Sequence, residues 1–264
     1  MWSSGSPRRI AALPLVALCA LGVPAGAGAG ADVRVISRPA AYDPSVEAMV
    51  VGRGGDVLAG ARWVSASAGA VRVAGRECAV AAGTPLAALA ALRRAGGPGF
   101  AIRDYGHCGA SPASSAELFV YSIGGEANRG QSGWEYKVEG SAGSTGAADP
   151  SGPEGNGRPI SQGQRVLWFW CEATAGGCER TLAVAPARAA PVHGARLTVT
   201  VTSYDNEGRP APVAGAIVAL GSRAARTDRH GHTTLVLPAA AGGYWLTATR
   251  TGLVPAFPGW IEVR

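Results

Sequence analysis

Gly133-Trp134-Glu135-Tyr136-Lys137-Val138 alternates strictly between apolar and charged side chains. A period of two predicts a β-strand with one apolar face, because successive side chains of a strand point to opposite sides of the sheet. Trp134, Tyr136 and Val138 lie on one face of this strand, and Glu135 and Lys137 lie on the other face, which we expect to face water. Glu139-Gly140 follows and predicts a turn.

A second strand is predicted by Arg165-Val-Leu-Trp-Phe-Trp170. This run is apolar on both faces, which is typical of a central strand covered from both sides. Another apolar run, residues 118–123, ends at Gly124-Gly125. Residues 141–158, rich in Gly, Ser, Pro and Ala, lack any periodicity and predict an exposed loop.

One helix is predicted just after residue 84. Thr84 suits an N-cap and Pro85 the first helical position. Leu86, Leu89 and Leu92 fall close to one apolar stripe. The glycines and proline of residues 96–99 predict the end of this helix.

The two ends of the chain differ in pattern, and the difference predicts two domains. Residues 195–264 contain only short strand-like runs separated by turn residues, which favours an all-β sandwich. Residues 186–194 contain two prolines among small residues and predict a linker. The expected fold class is therefore β-rich, with an α+β domain with one helix over residues 32–185 and a sandwich after the linker.

Residues 1–31 have the three parts of a secretory signal peptide. Two arginines precede an apolar run, and small residues follow it. Cleavage is possible after Ala27, Ala29 or Ala31. The apolar run is shorter than the roughly 20 residues that span a bilayer. We therefore expect a secreted or cell-surface protein with no membrane span in the mature chain.

The charge of the mature chain gives no indication of a nucleic-acid partner. Without residues 1–31, 22 basic residues face 18 acidic ones, a net charge of +4. Its arginines form no cluster or stripe of the kind that nucleic-acid binding requires.

The mature chain has four cysteines, an even number that predicts disulfides in an exported protein. Three pairings are possible. Because only six residues separate Cys171 from Cys178, we favour a bond between these two and a second bond between Cys78 and Cys108. Zinc ligation is the rival interpretation, but the short spacing of structural zinc ligands is absent.

The order of elements in the first domain resembles that of the DUF4430 family, which is related to the C-terminal domain of transcobalamin and intrinsic factor. The resemblance rests on Thr84-Pro85-Leu86, the Gly124-Gly125 pair, Gly133-Trp134-Glu-Tyr136-Lys-Val138 and Gln162-Gly163 before Val166. It implies a compact α+β domain with one helix on a β-grasp-like sheet. It also implies a corrinoid or another small molecule as an alternative ligand.

The second domain resembles carboxypeptidase-regulatory or prealbumin-like sandwiches. The matching segments are Val213-Ala-Gly215-Ala216, Thr227-Asp-x-x-Gly231 and Tyr244-x-Leu246-x-Ala248. Such sandwiches are common in exported modular proteins and imply little about chemistry.

A ligand surface is predicted beside the Gly124-Gly125 pair and the strand at Trp134. Glycines leave the backbone open to a close approach. The site residues that we predict there are Asn128, Arg129, Gln131 and Trp134. Trp134 begins a strand, where an indole is able to stack on a ring if it is half exposed. The alternative is an ordinary hairpin with Trp134 buried, and Trp168 and Trp170 are expected to be core residues.

Other polar groups form no convincing active site. His230 and His232 lie next to Asp228, but a solvated hairpin turn explains them without a metal. Glu135 and Glu139 would share a strand face, as a glycosidase pair does, yet charges on a wet face also explain them. No catalytic residue, metal or cofactor is predicted.

The sequence therefore favours an exported, non-enzymatic binding or surface-interaction protein. Its partner would be an unidentified small molecule, glycan or surface protein. A hydrolase that uses Glu135 or Glu139 is a distant alternative.

Overall fold

The computed structural model describes residues 42–187 and 192–264. The predicted signal peptide and part of the predicted linker, residues 188–191, lie outside the described residues. The described residues form many strands in several sheets and one α-helix, which confirms the β-rich fold class. None of the helices in this part of the chain is long and apolar enough to cross a membrane.

The first half of the described chain contains ten strands and one α-helix. In chain order they are β1 Ser45–Val51, β2 Val57–Ser65, β3 Gly69–Val73, β4 Arg76–Val80, α1 Pro85–Arg94, β5 Phe100–Asp104, β6 Leu118–Ile123, β7 Glu126–Ala127, β8 Gly133–Val138, β9 Ser141–Ala142 and β10 Arg165–Cys171. Two short 3-10 helices, Arg53–Gly55 and Pro112–Ser115, complete this half.

The main sheet has the strand order β2-β1-β10-β8-β9. Strand β10 lies in the middle, parallel to β1 and antiparallel to β8. Every residue of β10 after Arg165 is buried. This confirms the predicted central strand. The two smaller sheets of this half are β3-β4 and β5-β6-β7.

Helix α1 packs on β1, β2 and β10. Its N-cap is confirmed, because the Thr84 hydroxyl accepts a hydrogen bond from the Ala87 amide at 3.2 Å. The predicted leucine stripe is also confirmed, since Leu86, Leu89 and Leu92 are fully buried. Together with Trp168 they belong to the first core of the molecule.

The exposed loop predicted for residues 141–158 is only partly correct. Ala148 is fully buried, and the Ala147 carbonyl accepts a hydrogen bond from the Leu86 amide at 2.8 Å. The Thr145 carbonyl accepts one from the Tyr136 hydroxyl at 2.8 Å. The segment folds inward because the start of the helix and a buried hydroxyl both need acceptors there.

The second half is an all-β sandwich of two four-stranded sheets. Its strands are β11 Thr181–Pro186, β12 Arg196–Tyr204, β13 Pro210–Pro212, β14 Ile217–Leu220, β15 Arg223–Arg226, β16 His232–Val236, β17 Gly242–Thr249 and β18 Gly259–Val263. In one sheet β12 pairs with β11, β13 and β16, and the other has the order β15-β14-β17-β18. A shared core fills the space between them, with Val199, Val218 and Leu246 fully buried.

The two halves meet more closely than the predicted linker suggested. Met49, Leu167 and Phe169, on the face of the main sheet opposite α1, pack against Val254 and Phe257 of the second half. Strand β11 lies before the predicted linker except for Pro186, yet it pairs with β12 along its whole length. The division into two domains at this linker stays a prediction.

Both predicted cysteine pairings are confirmed. Cys78 and Cys108 are bonded, with their Cα atoms 5.2 Å apart. Cys171 and Cys178 are bonded across a short loop, with a Cα separation of 4.9 Å. Two disulfides are typical of proteins that fold in an oxidising compartment outside the cytoplasm.

Candidate functional site

The predicted ligand loop is a tight hairpin turn. Arg129 and Ser132 exchange two backbone hydrogen bonds, with N to O distances of 2.9 and 3.0 Å. Gly130 has a φ of +59°, a value that favours glycine. The side chains of Arg129 and Gln131 are exposed at the tip of this turn.

The side chain of Asn128 is hydrogen-bonded within the turn. Its side-chain oxygen accepts a hydrogen bond from the Trp134 amide at 3.0 Å. The side chain lies directly over Gly133, where a Cβ atom would overlap the amide group of Asn128. This close approach explains the glycine before Trp134, and it leaves the Asn128 oxygen engaged inside the protein.

Trp134 is buried, as the ordinary-hairpin alternative for this loop expects. Only 4% of its surface is exposed, and its indole nitrogen donates a hydrogen bond to the Glu126 carbonyl at 2.7 Å. Its ring meets Trp170 edge to face, with centroids 5.9 Å apart. Because the polar edge is paired and both faces are covered, no ligand can stack on this ring. Trp168 and Trp170 are buried, as predicted.

The polar groups around Trp170 also bond to one another. The Arg53 guanidinium lies 4.1 Å from the centre of the Trp170 ring. Glu172 accepts hydrogen bonds from the Trp170 indole at 3.1 Å and from the Ser132 hydroxyl at 2.9 Å. These two bonds lower the pKa of Glu172 and hold it ionised. Of the four predicted site residues, Arg129 and Gln131 are exposed, Asn128 is half-buried and Trp134 is buried.

A different pair of tryptophans is exposed. Trp245 on β17 and Trp260 on β18 lie directly opposite each other across the two strands. Their exposed fractions are 54% and 57%, and their ring centroids are 4.8 Å apart at an interplanar angle of 70°. We call this pair the tryptophan platform.

The backbone under Trp260 explains how the platform is held. A Cβ atom at Gly243 would overlap the Trp260 ring, so one face of the indole rests on the glycine. Thr247 and Glu262 lie on the same side of the sheet, because they are two residues from Trp245 and Trp260 along their strands.

Sequence reasoning missed the platform, although one signal was present. Leu246 and Ala248 alternate with Trp245 and Thr247, and Ile261 alternates with Trp260. Since the aliphatic residues fill the sandwich core, this alternation places both tryptophans outside.

Lys137 is the clearest departure from the predicted strand pattern. It was expected to face water, but it is 1% exposed because the second half covers this face of the main sheet. Its ammonium group donates to the carbonyls of Tyr204 at 3.1 Å and Asp205 at 2.8 Å. The Thr181 hydroxyl lies 3.4 Å away.

Burial is the main reason that the pKa of Lys137 is lowered to about 8. The charge of Arg180 also lowers it, and the nearby charges of Asp205 and Glu207 act in the opposite direction. A cavity of about 180 Å³ lies beside the side chain. Because three acceptors of the second half already surround the ammonium group, Lys137 ties the halves together.

The histidine cluster is a hairpin turn, which the sequence favoured over a metal site. The Asp228 carboxylate accepts hydrogen bonds from the amides of His230 and His232, at 2.8 and 2.9 Å, and these bonds lower its pKa. The ring of His232 contacts the Thr200 hydroxyl at 3.0 Å. Across the described ranges, 42–187 and 192–264, no three potential ligands converge on a metal position.

Glu135 and Glu139 do not share a strand face, so the basis for a glycosidase pair is wrong. Strand β8 ends at Val138, and Glu139 lies in the following turn with a φ of +50°. Its carboxylate accepts a hydrogen bond from the Arg165 amide at 2.6 Å. That bond assigns Glu139 a role in closing the turn.

No protein-family model, curated protein or solved structure matches this chain.

Proposed function

We propose that the chain is an exported, non-enzymatic binding protein that holds a glycan on the tryptophan platform. One observation carries this proposal. Trp245 and Trp260 place two large rings side by side on an open sheet face, each more than half exposed. Paired exposed aromatic residues mark interaction surfaces, because a soluble protein gains nothing by leaving them uncovered.

The chemistry of the platform fits a sugar ring. An indole face offers a flat apolar surface, and a pyranose presents a comparable face of C–H groups. Thr247 and Glu262, on the same side of the sheet, supply a hydroxyl and a carboxylate that are able to bond the sugar hydroxyls. The open face of the sheet leaves room for a chain of sugars.

The location of the protein is part of the proposal. The pattern of residues 1–31 and two disulfides both favour export, where glycans of cell walls and surfaces are the abundant polymers. In this account the first half, which resembles DUF4430, supports the sandwich through the buried contacts around Phe257.

The experiment is a retention assay on insoluble polysaccharides. Mature protein is mixed with peptidoglycan sacculi, chitin or cellulose, and the protein left in solution is measured. We expect retention on at least one polymer. Trp260→Ala and Trp245→Ala should each weaken it by at least about tenfold, as loss of a central aromatic contact does.

The matched control is Trp63→Ala, since Trp63 lies on β2 in the other half and is equally exposed. This variant should bind as the original protein does. Equal retention of all three variants, or no retention on any polymer, would contradict the proposal. A thermal shift with cobinamide or cobalamin tests the corrinoid alternative in the same samples.

A further inference from the structure

A groove of about 610 Å³ runs along the first half between β3, β5 and the end of α1. Its apolar floor includes Val71, Phe100 and Ile102, which are partly buried against the first core. A volume of this size is in the range of sites that hold peptides or small ligands.

The walls of the groove are strand edges. Consecutive residues of β3 (Ala70 to Val73) and of β5 (Phe100 to Ile102) line it, and consecutive residues occur together only where a strand presents its edge. Strand β3 pairs only with β4, and β5 only with β6, in the part of the chain that the structure describes. One edge of each strand therefore offers backbone N–H and C=O groups to another strand.

The groove carries positive charge. Arg72, Arg93 and Arg94 are exposed along it, and no Asp or Glu belongs to its described lining. One nitrogen of Arg93 donates to the Gly97 carbonyl at 3.0 Å, which leaves further donors of its guanidinium for a ligand.

From this geometry we propose that the groove binds an extended acidic segment of a partner protein as an added β-strand. The backbone of the segment would pair with β3 or β5, and its side chains would alternate. One set would pack on Val71, Phe100 and Ile102, and the acidic set would lie near the arginines. This binding surface is separate from the tryptophan platform.

The expected length of the bound segment follows from the strands. Strands β3 and β5 have five residues each. A segment of about six residues in extended form would span them.

The test uses mature protein and a labelled peptide of about six residues that alternates valine and glutamate. Fluorescence polarisation should give micromolar binding that weakens as salt is added, because the arginines attract the carboxylates. Arg72→Glu and Arg93→Glu should each weaken binding at least about tenfold. Arg226→Glu is the matched control, since Arg226 is exposed on β15 of the other half, and it should change binding less than about twofold.

Two altered peptides separate strand addition from simple charge attraction. A peptide with lysine in place of glutamate should not bind. A glutamate peptide N-methylated at alternate residues keeps its charge but loses half its backbone donors, and it should bind at least about tenfold more weakly.

Several results would overturn the proposal. They are no binding of the glutamate peptide, equal binding of the lysine or N-methylated peptide, and equal weakening by Arg226→Glu. Binding that appears only after residues 32–41 are deleted would assign the groove to this chain's own N-terminal segment.

Discussion

Two tryptophan pairs in this protein share a local design and have opposite surroundings. Trp134 faces Trp170 across β8 and β10, and Trp245 faces Trp260 across β17 and β18. Both pairs are close to perpendicular, and one member of each follows a glycine, Gly133 or Gly259. The first pair is about 4% exposed, whereas the second is more than half exposed.

The difference comes from the layer above each pair. Trp134 and Trp170 lie on the side of the main sheet that α1 covers, in the first core. Trp245 and Trp260 lie on the outer side of a two-layer sandwich, where the described chain adds no third layer. The same Gly-Trp sequence on a strand thus occurs in a buried and in an exposed ring pair, and tertiary packing decides how much of each pair meets water.

The largest effect is expected from breaking the buried pair. Trp134→Ala should lower the free energy of unfolding by about 3–5 kcal/mol, because it removes a large buried ring and leaves a cavity. It also leaves the Glu126 carbonyl without its indole donor. Guanidinium unfolding followed by circular dichroism measures the loss. A change below about 1 kcal/mol would contradict the core assignment.

The burial of the opposite face of the same sheet can be tested through the titration of Lys137, the only lysine of the chain. Its folded-state pKa of about 8 lies below the ordinary value of 10.5. Between these two pH values the unfolded chain binds more protons, so stability should rise with pH over this window. The expected rise is up to about 3 kcal/mol.

The matched variant for this pH effect is Lys137→Met, which keeps the length of the side chain and removes the titrating group. Subtracting its stability profile from that of the original protein separates the contribution of Lys137 from those of the other titrating groups. If the two profiles run parallel from pH 8 to 10.5, Lys137 is not buried as described.

The smallest effect on stability is expected at the exposed pair. Trp260→Ala should change the free energy of unfolding by less than about 1 kcal/mol, because most of the ring surface is already in water. The losses in free energy of unfolding of Trp260→Ala and Trp134→Ala, measured under the same conditions, can then be compared directly. A loss as large as that of Trp134→Ala would mean that the platform is structural.

Much of the fold is predictable from the sequence because single strands and helices carry their own patterns. The cap at Thr84, the leucine stripe and the two-sided apolar run of β10 each follow from local periodicity. The short spacing of Cys171 and Cys178 similarly indicated their pairing.

The parts that were not predicted depend on contacts between distant segments. The strand pattern predicts that Lys137 faces water, and only the fold shows that the carbonyls of residues 204 and 205 accept hydrogen bonds from it. The sequence left the exposure of Trp134 open, and the contacts with Trp170 and the Glu126 carbonyl decide that it is buried. The sequence pattern places β11 at the end of the first domain, whereas its backbone pairs with β12 of the second half. Local periodicity carries no information about such partners.

The central claim is that the exposed pair is a glycan platform and the buried pair is core. Oxidative footprinting of tryptophans, read by mass spectrometry with and without the polysaccharide that retains the protein, tests it most directly. In the free protein we expect rapid oxidation of Trp63, Trp245 and Trp260 and slow oxidation of Trp134 and Trp170. The glycan should protect Trp245 and Trp260 and leave Trp63 unprotected. Unchanged oxidation of the platform in the bound protein, or rapid oxidation of Trp134, would contradict the account.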